Sequence, residues 1–199
     1  MDVMTAVLTR RSEHILHAPA PDDTEFTYLL RGASLAPDHG RLRPWRWILL
    51  RGDERAELGL SIAAETGADA AETERLRAKY QRAPLSAALV FVPRTHPVPE
   101  WEQLAAASCM AHSLMLLLHA RDYGSIWRTG RLATSPAVGE FLGLRSPERL
   151  LGILDIGTPD ATSGRRRRVP DDVSGNLTHF KELRERAPGS TLAGSQGER

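Results

Sequence analysis

Residues 100–122, EWEQLAAASCMAHSLMLLLHARD, are the stretch whose reading decides the fold. Leu104, Ala107, Ala111, Leu114 and Leu118 recur at the three- and four-residue spacing of one helix face. Ala106, Met110 and Leu117 make the other side largely apolar too. A helix apolar all round has to be covered on all sides. In a chain of 199 residues, the simplest cover is its own sheet on one side and a partner subunit on the other. His112 and His119 lie two turns apart on this helix and suit either a metal or a satisfied core or interface contact. No carboxylate or thiol pair stands at matching spacing, which favours the contact over the metal.

Outward from this helix the chain reads as mixed α and β. The runs 46–52 (RWILLRG), 86–94 (SAALVFVPR) and 150–157 (LLGILDIG) predict strands. A charged, alanine-rich helical region fills roughly 53–82 between the first two. Met4, Val7 and Leu8 suggest a short first helix that stops near Arg10-Arg11-Ser12. Beyond APAPDD, a capped second helix carries Phe26, Leu29, Leu30 and Ala33 on one side. Ser135-Pro136 opens a further helix, with Gly143 just past its end. The small, polar residues 186–199 predict a disordered tail after a single domain over 1–185.

Composition narrows the function classes. With 41% hydrophobic and 26% charged residues the chain is globular, and a net charge of +1 gives no global field favouring nucleic acid. Cys109 is the only cysteine, so no internal disulfide forms, as suits a reducing compartment. The N-terminus lacks the pattern of a secretory signal. Residues 104–118 carry Ser108, His112 and Ser113 and fall short of a membrane span. The expectation is a cytoplasmic protein, with no membrane or nucleic-acid partner.

Three local features carry chemistry. Arg10, Arg11 and Ser12 offer two planar cations and a hydroxyl, a set that meets phosphate well, although solvated helix ends carry the same residues. The turn in ASLAPDHGRLRPWRW, 33–47, places Leu35, Pro37 and His39 ahead of Trp45 and Trp47. GSIWRTG, 124–130, reads as a loop in which two glycines bracket Trp127, Arg128 and Thr129; a structural loop accepts this sequence as readily as a binding loop. There is no Ser-His-Asp order, nucleophilic cysteine context or paired-carboxylate motif. The arginine run 165–168 reads as a surface loop, though one of its members can reach a phosphate.

Taken in order, RRS, APDHG…RPWRW, VPEWEQ (98–103) and GSIWRTG ahead of LGILDIGTP resemble the nitroreductase family, and most of all its small FMN-dependent subgroup. The resemblance spans about residues 3–180. It implies an α+β fold with a mainly antiparallel central sheet flanked by helices, in an intertwined homodimer with FMN at the interface. It assigns Arg10, Arg11 and Ser12 to the phosphate and ribityl end of the flavin. Leu35, Pro37 and His39 become a wall reaching the flavin of the other subunit, and Trp127, Arg128 and Thr129 a third FMN contact. It implies hydride transfer from NAD(P)H through FMN to a nitroaromatic, quinone or similar electrophilic acceptor, in ping-pong order and with no metal. The rival expectation is a flavin-binding sensor or carrier without efficient turnover. The turn departs from the Ser-Ser-x-Asn-x-Gln-Pro-Trp form of larger members, because DHGRLRPW stands here.

Overall fold

Leu85–Phe91 is a run of apolar residues broken only by Ser86, and as strand β3 it is buried at every position. In the computed structural model, which describes residues 1–161, 167–181 and 183, helices cover both of its faces. The body, Met1–Arg167, runs α1 (Val3–Thr9), β1 (Leu16–His17), α2 (Asp23–Ala33), β2 (Trp45–Leu50), α3 (Glu54–Thr66) and α4 (Ala70–Tyr80). There follow β3, α5 (Glu100–Ala120), β4 (Gly124–Arg128), α6 (Arg131–Thr134), α7 (Pro136–Phe141) and β5 (Arg149–Pro159). This is an α+β fold of the expected kind. Every ladder is antiparallel: β2 pairs β3, β3 pairs β5, and the far edge of β5 is shared by β4 and β1. A second unit begins at Arg168; it has a short 3-10 turn at Ser174–Asn176 and exposes Val169, Val173, Leu177 and Phe180. Arg165, Arg166 and the tail 186–199 lie outside the described residues.

Strand alternation sorts the core into two layers. Leu85, Ala87, Leu89, Leu154 and Ile156 point to the side where Phe26 and Leu29 of α2 and Met110, Leu114 and Leu118 of α5 pack. Ala88, Leu150 and Ile153 point the other way, against Leu58 of α3 and Val138 of α7. Local chemistry sets the helix starts. The Asp22 carboxylate accepts from Glu25 N–H (2.8 Å), and the Ser135 hydroxyl oxygen accepts from Val138 N–H (3.2 Å). Arg46 of β2 grips Glu148, just before β5, with Nε and Nη2 at 2.7 and 2.9 Å. That fork holds the Glu148 carboxyl down at about 2, against an ordinary 4.5.

Two expectations need correction, the loop at GSIWRTG and the shortness of the apolar stretch in α5, and two gain detail. The helical region 53–82 is two helices, because Gly67 closes α3 in a left-handed conformation (φ 61°) and Asp69 caps α4. GSIWRTG is not a loop: Gly124–Arg128 form β4, fully laddered to Ile153–Gly157. Helix α5 is covered on its sheet side only within one chain, which leaves open the side expected to meet a partner. Its sheet side is buried, but Trp101 is 69% exposed and Leu104, Cys109 and His112 are exposed with it. At 21 residues α5 is also longer than 104–118, long and apolar enough to cross a membrane by length and composition. Here it forms the core helix against β3.

Candidate functional site

The first motif is delivered by α1. Asp2 caps the helix by accepting from Thr5 N–H (2.9 Å), and Arg10 leaves it in an extended conformation. The Thr9 hydroxyl donates its proton to Thr5 O (2.6 Å), so it accepts from Nε2 of His119 (2.7 Å), which fastens α1 to the last turn of α5. His119 is therefore a structural contact. Ser12 next forms a parallel bridge with Ser125 of β4, and Glu13 N–H donates to Ser125 O (3.2 Å). Gly124 leaves room for this close approach, since a Cβ there would lie 2.8 Å from the Leu16 side chain and 3.0 Å from that of Glu13. Nη1 of Arg10 and Nε of Arg11 are withdrawn from solvent.

β4 then carries the third motif away from that bridge. Trp127 faces the α2–α5 layer, lies against Gly152 of β5, and buries an Nε1 with no hydrogen-bond acceptor among the described residues. Arg128 faces the other layer, where its Nε donates to Asp155 (2.5 Å). Asp155 also accepts from the Ser86 hydroxyl (2.8 Å). The Arg128 charge is thus compensated from below. Thr129 is exposed beyond the strand end. Trp127, Arg128 and Thr129 line a cavity of about 900 Å³ whose opposite wall includes Ile62, Lys79 and Tyr80. Burial pushes the Tyr80 hydroxyl up, Asp155 adds to the rise and Arg128 opposes it. Lys79, Tyr80 and Asp155 were not singled out in the sequence; the one available signal was their place at the end of a helix and inside a strand that converge on β4.

The structure therefore brings Arg10–Ser12 and Trp127–Thr129 together. Leu35, Pro37 and His39 sit elsewhere in the chain. Leu35 is 86% exposed, and Nδ1 of His39 meets Glu102 in the first turn of α5 at 2.7 Å. Helix α5 thus serves as a ruler. The first motif is tied to it at His119 and the second at Glu102, seventeen residues apart, or about 26 Å at the usual helical rise.

This arrangement has counterparts. The model of the Nitroreductase family matches residues 7–158. The chain is 33% identical over 177 residues to "Putative NAD(P)H nitroreductase YdjA" of Escherichia coli, covering 86% of this chain and 96% of that protein. A nitroreductase-like family protein from Bacillus cereus superposes with a TM-score of 0.78 at 22% identity, over 91% of this chain and 97% of the other. The FMN and NADPH-dependent nitroreductase NfnB from sphigopyxis sp. strain HMH does so with a TM-score of 0.71 at 19% identity, over 90% and 99%. With a family match across most of the body and a relative of this identity along nearly its whole length, the chain belongs to the nitroreductase family.

Proposed function

We propose that this protein is an FMN-dependent oxidoreductase that takes hydride from NADH or NADPH and passes two electrons to a nitroaromatic, quinone or similar electrophilic acceptor. The observation that carries the reading is the Ser12–Ser125 bridge, which sets two cations and a hydroxyl beside the strand that leads into the cavity. The cavity falls in the size range of small-molecule and cofactor sites. The residues present fit the flavin: Nη1 of Arg10 and Nε of Arg11, withdrawn from solvent beside β4, belong to planar cations of the kind that meets a phosphate two-pronged.

Bound FMN supplies the redox chemistry, taking hydride from the nicotinamide and returning the electrons to the acceptor. Each turnover oxidises one NAD(P)H by two electrons and reduces the acceptor by two, with solvent providing the second proton. The chain's own residues bind and orient. Arg10 and Arg11 hold the phosphate, and Ser12 adds a hydroxyl donor. Arg128, fixed by Asp155, lends the cavity a rigid dipole rather than a full charge. Lys79 across the cavity stabilises negative charge that develops on reduction.

The site is completed by a second copy. The anchors of Thr9 and His39 on α5, His119 and Glu102, stand about 26 Å apart along the helix, which holds His39 away from Arg10–Ser12 of its own chain. Two copies paired antiparallel along the open face of α5 (Trp101, Leu104, Cys109, His112) would bring Leu35, Pro37 and His39 of one to Arg10–Ser12 of the other. The test is steady-state oxidation of NADH and NADPH by FMN-loaded protein with a quinone and a nitroaromatic. Parallel double-reciprocal lines are expected. FMN-loaded protein that turns over neither nucleotide would refute the enzyme reading.

A further inference from the structure

The turn at 38–43 holds two arginines in a conformation that arginine does not favour. Gly40, Arg41 and Arg43 have φ of 79°, 52° and 46°. Among the described residues only Asp122 shares a positive φ with them outside glycine, and aspartate tolerates it. The turn is pinned through its backbone. Asp38 accepts from Leu42 N–H (3.2 Å) and Arg43 N–H (2.8 Å), and its carbonyl accepts from Arg41 N–H (3.0 Å). A turn needed for shape alone would carry glycine or asparagine at both places. The arginine side chains have their own destination.

Neither guanidinium has a hydrogen-bond or ion-pair partner among the described residues, and both are exposed. Arg46, Arg51, Arg128 and Arg149 each meet a carboxylate. Arg41 and Arg43 instead line a cavity of about 400 Å³ with Leu35, Pro37 and Asp38. Asp38 is the one carboxylate there among the described residues, and both its oxygens are taken by backbone donors. Two uncompensated planar cations on one rigid turn make an anion subsite, and phosphate is the anion their forks fit.

We propose that Arg41 and Arg43 bind a phosphate of the nicotinamide dinucleotide. The inference rests on the flavoenzyme reading for its ligand: Arg10–Ser12 already serve the flavin phosphate, so the reductant is the remaining reactant that carries phosphate. Its 2′-phosphate and its pyrophosphate share this chemistry.

The probes are NADP⁺ and NAD⁺, titrated calorimetrically into FMN-loaded protein. In Arg41→Asn/Arg43→Asn both charges go, while asparagine adopts the left-handed turn readily. NADP⁺ affinity should fall by about tenfold per arginine, and the loss should shrink at high salt. Denaturant stability should be unchanged or raised and FMN affinity unchanged. Arg41→Lys/Arg43→Lys keeps the charges and should retain part of the affinity. A loss confined to NADP⁺ identifies the 2′-phosphate, and an equal loss with NAD⁺ the pyrophosphate. Unchanged affinity for both nucleotides, or a parallel loss of FMN, overturns the proposal. A wild-type chain that takes up no flavin would refute the flavoenzyme reading instead, and titrating the flavin-free chain would still report on the two arginines.

Discussion

Gly152→Ala tests the link between the core and the site. At φ 134° this residue lies where an L side chain is strained, at a cost of order 1–3 kcal/mol. A Cβ there would also stand 2.5 Å from the Arg128 carbonyl oxygen and 2.5 Å from Nε1 of Trp127. The carbonyl belongs to β4 and cannot retreat without loosening its ladder with β5, so overpacking adds about 1–3 kcal/mol. Alanine restricts the unfolded chain, which returns about 0.4–1 kcal/mol. The net loss is about 1–6 kcal/mol, centred near 3, a large part of the stability of an ordinary domain. Gly67→Ala is the control, because φ is 61° there but no atom lies within 4 Å of the added Cβ; it should cost only about 1–2 kcal/mol. Urea denaturation of flavin-free protein measures both. Equal losses would mean that the contact with β4 is not tight, and the account of how Trp127 and Arg128 are held would fail.

Arg10→Ala should weaken FMN by roughly ten- to a hundred-fold, the worth of one charge-assisted hydrogen bond, while exposed Arg77→Ala leaves affinity within about twofold in the same fluorescence titration. Cys109→Arg places a charge near the middle of the open face of α5. It should cost a single chain little, yet face its own copy across an antiparallel pair, so sedimentation should report a monomer with weakened FMN binding; an intact dimer would exclude this pairing. Because Arg46 holds the Glu148 carboxyl at about 2, that ion pair stabilises the fold fully above its ordinary value of 4.5 and is lost as pH falls from there through about 2. Glu148→Gln should therefore flatten the acid limb of a stability–pH profile between those values and leave its shape near neutrality unchanged.

The sequence is most informative where structure is local. The strands expected at 46–52, 86–94 and 150–157 appear as Trp45–Leu50, Leu85–Phe91 and Arg149–Pro159, because each carries enough β-branched or apolar residues to be read alone. β4 is not legible as a strand because its opening glycine looks like a loop residue; Gly124 accommodates the approach of Leu16 and Glu13, a contact from more than a hundred residues away in the chain. β1, two residues long, has no period to detect. In the site, the residue types were legible but their grouping was not. That Arg10–Ser12 meet β4, and that His39 is fixed at the opposite end of α5, depends on where α1 and the turn dock on that helix. The apolar character of α5 pointed to a partner, and the exposed Trp101 and Leu104 give that expectation a face.

The central claim, that flavin bound beside β4 exchanges electrons with a nicotinamide, is tested most directly by anaerobic absorption spectroscopy of the FMN-loaded protein. Stoichiometric NADPH or NADH should bleach the flavin band completely, and one equivalent of quinone should restore it. A flavin band that neither nucleotide bleaches, or a protein that retains no FMN, would contradict the account.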